Sequence, residues 1–149
     1  MSVAQGRDFL AIPGPTVIPD QVLSAMHQPA IDIYTGSLVG VTDDCLAALK
    51  TVFKTTGQPY IYAANGHGAW EAALSNTLSK GDRVLVLESG LFAKTWGASG
   101  VLQGLEVTYV EGDWRQPVDY EKASQLLADD KDHQIKALLM VQVLSLIHI

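Results

Sequence analysis

The chain has 149 residues, 48% hydrophobic and 17% charged, a composition that belongs to a folded globular domain and excludes a disordered one. Its formal net charge is −6 with acids and bases interspersed, so the basic patch that nucleic-acid binding needs is missing. No stretch approaches the roughly 20 apolar residues that span a bilayer, and one cysteine cannot form an internal disulfide.

Over Met1 to Leu10 there is no cationic stretch followed by an apolar run, and Phe9-Leu10-Ala11-Ile12 is cut short by Pro13. No signal peptide is readable, and a cytoplasmic protein is expected, with a peroxisomal one as the alternative should a C-terminal address follow. Pro13-Gly14-Pro15-Thr16 fits neither regular helix nor strand, so the opening reads as an arm. Pro19 and Asp20 open a short helix over Gln21 to Met26. Thr42 or Asp43 is expected to cap a further helix with Leu46, Leu49 and Phe53 inward, Lys50 and Lys54 near its C-terminus and Gly57 as its stop. Cys45 on that helix is expected to be a small buried hydrophobe.

From Gln58 onward short β-rich runs alternate with helical periodicity, the pattern of α/β units around a mostly parallel sheet. Strands are expected at Tyr60 to Ala63, Arg83 to Leu87, Leu105 to Val110 and Ile135 to Val141. The second of these is an unbroken apolar run of the kind buried on both sheet faces. Helices are expected over Gly66 to Leu78, where Trp70, Ala73, Leu74, Thr77 and Leu78 share a face, and over Leu91 to Leu102 after Ser89-Gly90. Another runs from Tyr120 to Ala128 behind an Asp119 cap. Ligands of open α/β sheets sit at the rim formed by the carboxyl ends of the strands.

Leu144-Ser145-Leu146-Ile147-His148-Ile149 is what CTGTCTCTTATACACATC encodes, a transposase adapter string used in shotgun sequencing libraries. The six residues are therefore set aside, and His148 is excluded as a ligand or base. An apolar continuation of the last strand is the alternative.

Ala64-Asn65-Gly66-His67-Gly68-Ala69 carries the clearest chemistry. Two glycines allow a ligand close to the backbone, and N–H groups at a helix N-terminus point at it with a favourable dipole, so the turn is a phosphate cup of unknown owner. A glycine-rich turn with no ligand is the plain alternative. A dinucleotide fingerprint beginning at Gly66-x-Gly68, with Glu88 on a ribose, is the rival. Its third glycine would fall at Glu71.

Phe9 to Met26, with Ile12-Pro13-Gly14-Pro15-Thr16, Ile18-Pro19 and Val22, resembles the opening of alanine–glyoxylate and serine–glyoxylate aminotransferases. The run from Asn65 to Leu78, then Gly81-Asp82 and Val84-Leu85, is similar to their cofactor-phosphate turn and helix. Asp132 to Ala137 leading into an apolar strand is similar again. The resemblance covers nearly all of residues 9 to 143. It implies a class V aminotransferase, using pyridoxal 5'-phosphate on the large domain of the fold-type I transferases. The amino group would pass from alanine or serine to glyoxylate or a similar small 2-oxo acid, in a homodimer with no metal. Other class V enzymes, such as cysteine desulfurases, are the nearer alternative, and a non-catalytic interaction module the more distant one.

Residue by residue, the resemblance implies that the backbone amides at Asn65, Gly66 and His67 hold the cofactor phosphate, with Asn65 in place of the usual Ser. His67 acts as an N–H donor with a packed ring. Phe92 stands where the family places an aromatic on the pyridine ring, a duty Phe can perform, although Phe92 and Trp96 lie four apart on one helix and also suit plain core. Gly14, Pro15 and Thr16 lie in the arm that approaches the small substrate, with a capping turn as the alternative. The family's lysine and the Asp that protonates the pyridine nitrogen would follow Val143. Lys50, Lys54, Lys80, Lys94, Lys122, Lys131 and Lys136 are all expected away from the rim. The chain is thus expected to be an inactive N-terminal fragment, with an arm over 1–18, a partial cofactor-binding domain over 19–143, and 144–149 as adapter.

Overall fold

A computed structural model describes Leu10, Ile12 and residues 14–142. The expectations for Met1 to Phe9, for Pro13 and for the adapter residues 144–149 lie outside the described residues. The chain divides into two compact units, residues 1–61 and 62–149.

The first unit contains α1 (Asp20–Met26) and α2 (Ser37–Val52). Pro19 caps α1 and Asp20 places a carboxylate in its first turn, favourable to the helix dipole. α2 corrects the expected boundaries. The chain turns on Asp32, whose Oδ1 accepts the N–H of Tyr34 and of Thr35, passes Gly36 at φ +85°, and enters the helix at Ser37. Thr42, expected as a cap, instead donates its hydroxyl to the Leu38 carbonyl at 2.8 Å. Its side chain satisfies a backbone group inside the helix, so it does not start one. The helix ends at Val52 rather than running to Gly57, and Lys54 takes φ +49° just past it. Leu46 and Leu49 are half-buried, but Phe53 is 67% exposed and Cys45 is exposed, against the expectation of burial for both.

The second unit runs α3 (Gly66–Thr77), β1 (Arg83–Leu87), α4 (Leu91–Leu102), β2 (Glu106–Val110), α5 (Tyr120–Asp129) and β3 (Ile135–Met140). These form a three-stranded sheet in the order β2-β1-β3, parallel throughout. Leu85 pairs with Thr108 on one side and Leu138 on the other. Because β1 is central, Val84, Leu85, Val86 and Leu87 are all at most 2% exposed. Each such side chain contributes about 1.5–3 kcal/mol of burial.

Side chains alternate across a strand, and the core divides accordingly. Val84 and Val86 pack with Leu74 of α3, Ala93 of α4, Leu105 and Leu139. Leu85 and Leu87 pack with Val110 and with Ala123 of α5 on the other face. Two layers of helix around a parallel sheet give the expected α/β class. Both helices with polar caps start where the sequence places them: Asn65 accepts from the His67 N–H before α3, and Asp119 from the Lys122 N–H before α5. After α4, Gly104 at φ +85° lets its N–H reach the Val101 carbonyl and that of Leu105 the Gly100 carbonyl, closing the helix end.

The strand expected at Tyr60 to Ala63 does not form. Tyr60, Ile61 and Tyr62 are 63–74% exposed. A β-rich run becomes a strand only where a neighbour takes up its backbone groups, and none of the described strands pairs with it.

Candidate functional site

The Asn65–Gly68 turn is built by local hydrogen bonds. Asn65 Oδ1 accepts the His67 N–H at 3.1 Å, and the Asn65 carbonyl accepts the Gly68 N–H at 3.0 Å. Gly68 is required by packing, since a Cβ there would stand 2.5 Å from the Ala64 Cβ. At Gly66 a Cβ would meet nothing within 4 Å, so no packing contact accounts for that glycine. The result is an exposed helix N-terminus whose His67 and Gly68 N–H groups are taken up by Asn65, and whose dipole favours an anion.

An aromatic cluster stands beside the turn. The His67 ring lies edge-on to Trp70 at 4.9 Å and tilted to Phe92 at 6.1 Å. Trp70 meets Phe92 edge-on at 6.0 Å and stacks on Trp96 at 5.3 Å with an interplanar angle of 14°. These offset and edge contacts join α3 to α4 and are worth about 0.5–1.5 kcal/mol a pair beyond the area they bury. Trp96 Nε1 is buried without a hydrogen-bond partner. Phe92 has contacts in two directions. It packs on the core cluster, and it stands next to His67 of the glycine turn. Asn65, Gly66, His67 and Phe92 come together. Gly14 and Pro15 lie in the first unit, in an exposed bend where a Cβ on Gly14 would also meet nothing within 4 Å.

The carboxyl ends of the strands carry a polar group that sequence reasoning missed. Glu88, directly after β1, is only 6% exposed, and its Oε1 accepts the Trp114 indole N–H at 3.1 Å and Lys94 Nζ at 3.2 Å. Lys94 is thus at the rim rather than away from it, brought there by its place in the first turn of α4. Ser89 donates its hydroxyl to the Val141 carbonyl at 2.7 Å, tying β1 to β3. Burial, and then the nearby Glu88 charge, raise the Tyr109 hydroxyl above its ordinary value of 10.0. Only the lone Glu88 at a strand end, weighed as a ribose ligand, hinted at this group. Its engagement by Trp114 and Lys94, with no strand before Gly66 among the described residues, counts against the dinucleotide reading.

Two hollows adjoin the sheet. One of about 340 Å³ lies at the rim, between Ser89, Val141 and Gln142 and the loop carrying Trp114 and Arg115. A larger one of about 560 Å³ lies at the opposite strand ends, beside Arg83, Glu106 and Asp130, away from the glycine turn. There Asp130 already accepts the N–H groups of Gln134 and Ile135, which hold its carboxyl below its ordinary value of 3.8. Among the described residues no three His, Cys, Asp or Glu side chains could hold a metal, and no helix is long and apolar enough to cross a membrane.

No family model matches the chain. Over 137 residues, 91% of its length, it is 37% identical to the serine–glyoxylate aminotransferase of Arabidopsis thaliana and 39% identical to that of Methylorubrum extorquens. It is also 37% identical over 129 residues to the L-aspartate–glyoxylate aminotransferase of Paracoccus denitrificans. Its homologues include serine–glyoxylate and aspartate–glyoxylate aminotransferases. The chain spans about a third of their length: 34%, 34% and 33% of the three. The fold agrees with that of class V aminotransferases. The ureidoglycine–glyoxylate aminotransferase of Bacillus subtilis superposes with a TM-score of 0.74 over 94% of this chain and 36% of its own, at 20% identity. An alanine–glyoxylate aminotransferase from Nostoc sp. gives 0.68 over 87% and 35%, at 22% identity. The stretch aligned with these relatives includes the glycine turn, its aromatic neighbours and the Glu88 group.

Proposed function

We propose that this chain is the phosphate-binding part of a pyridoxal 5'-phosphate-dependent aminotransferase. The whole enzyme, a homodimer, moves an amino group from a small amino acid such as serine or alanine to glyoxylate or a similar small 2-oxo acid. The observation that carries the reading is the pairing of a capped glycine turn at the head of a twelve-residue helix with an aromatic ring 6.1 Å from its histidine, in a chain with homologues of that activity.

When bound, the cofactor supplies an electron-accepting ring that stabilises negative charge at the substrate carbon. The chain's own residues bind and orient. The turn holds the phosphate through the N–H groups of Gly66 and His67, and Asn65 Oδ1 gives up the His67 N–H when the anion takes it. The open space at Gly66 supports this fit. Phe92 lies against the pyridine ring, and Gly14 and Pro15 leave room for a small amino acid. Residues 19–142 form part of the cofactor-binding domain.

Titration with pyridoxal phosphate should quench the fluorescence of Trp70 and Trp96, which are packed beside the turn, while NADH at equal concentration leaves it unchanged. Quenching by NADH alone would sink the proposal.

A further inference from the structure

Glu88 is the one buried charged side chain among the described residues. A carboxylate taken from water persists only where it is hydrogen-bonded, and here an indole and an ammonium supply the donors. The loop after β2 is shaped to deliver the indole. Gly112 passes so close beneath that a Cβ would stand 2.5 Å from the Glu88 carbonyl oxygen. Asp113 turns the chain by accepting the N–H groups of Arg115 and Gln116 at 2.8 and 2.9 Å. Trp114 itself takes φ +63°, a conformation unfavourable for a bulky residue and kept only where surrounding contacts enforce it. On the other side Lys94 lies two residues beyond Phe92, in the first turn of α4.

We propose that Glu88 is a positioning residue. It locks the first turn of α4, and so the Phe92 ring, to the 112–116 loop, and thereby fixes where that ring stands relative to the Asn65–Gly68 turn. This deepens the cofactor reading and rests on it for the role of Phe92.

The test uses the full chain and its Glu88→Ala, Glu88→Gln and Trp114→Phe variants. Amide hydrogen exchange is followed at residues 91–95 and 113–116, and dissociation constants are measured for pyridoxal phosphate and for inorganic phosphate. Glu88→Ala should speed exchange in both segments together while leaving Val84 to Val86 protected. It should weaken pyridoxal phosphate by about tenfold and inorganic phosphate by less than about twofold, because the free anion needs only the turn. Glu88→Gln, whose amide oxygen still accepts the indole N–H, should fall within about threefold of the parent for both ligands. Trp114→Phe removes the indole donor while keeping a ring, and should reproduce the Glu88→Ala pattern should that variant not fold. Equal weakening of both ligands, or exchange at 91–95 that ignores both substitutions, would overturn the proposal. If the parent chain binds inorganic phosphate but no pyridoxal phosphate, the cofactor reading fails, and the exchange data alone decide whether Glu88 couples the two segments.

Discussion

Asn65 shows how one side chain can serve stability and binding in opposition. Its Oδ1 caps α3 through the His67 N–H, so Asn65→Ala should cost about 1 kcal/mol in urea denaturation. An anion in the turn competes for the same donor and stabilises the folded chain by mass action. The stability gap between parent and Asn65→Ala should therefore narrow in phosphate buffer and persist in a buffer without small anions. An equal gap in both would mean that the anion does not take the His67 N–H. Asp113 gives a prediction of another kind. The N–H groups of Arg115 and Gln116 hold its carboxyl below its ordinary value of 3.8. A carboxyl whose folded value is depressed adds its full stabilisation above the unfolded value and loses it as the pH falls through the folded one. The Trp114 loop should thus keep its fold, and the Trp114 emission that reports it, down to about pH 4 and lose it in stronger acid. Asp113→Asn, which keeps an acceptor oxygen but does not titrate, should remove that acid transition.

Among the elements, β1 bears the most weight. Leu85 is fully buried at the centre of the sheet, and Leu85→Ala should cost about 2–5 kcal/mol. Leu102, 90% exposed at the end of α4, should change stability by less than about 0.5 kcal/mol when replaced by Ala. Thermal unfolding of the two variants checks the contrast. β1 was also the most legible element, since a four-residue apolar run between Arg83 and Glu88 fits little but a central parallel strand. Helices α3, α4 and α5 were readable from periodicity, and α5 also from its Asp119 cap, because those signals act within one or two turns. Signals that depend on distant partners failed. Tyr60 to Ala63 has the composition of a strand, but pairing is decided by what lies beside it. Thr42 failed for a local reason instead: it has the chemistry of a cap, but its hydroxyl found the Leu38 carbonyl one turn back. The glycine turn was visible as a unit because its residues are contiguous. The Glu88 group was not, because Trp114 is 26 residues away and Lys94 reaches back from the next helix.

At the scale of the whole molecule, apolar surface is unevenly covered. No described residue of the first unit is buried, and Val52, Phe53, Tyr60 and Ile61 are each at least 64% exposed. In the sheet, β2 and β3 each pair on one side only among the described residues. The two edges differ in chemistry. β2 presents Glu106 and Thr108, both exposed, and a charge on an edge discourages pairing with another chain. β3 presents Leu138 and Met140, 45% and 43% exposed, on the face where Leu85 and Leu87 pack with α5. Self-association should therefore proceed through β3. Sedimentation velocity across a tenfold concentration range should show the average mass rising for the parent chain. Leu138→Lys, which sets a charge on that edge without touching the buried Leu139, should suppress the rise, and Thr108→Lys on β2 should not. If Leu138→Lys associates as strongly as the parent, the exposed apolar residues of the first unit, rather than the sheet edge, bring the chains together, and Phe53→Lys should then be the substitution that separates them.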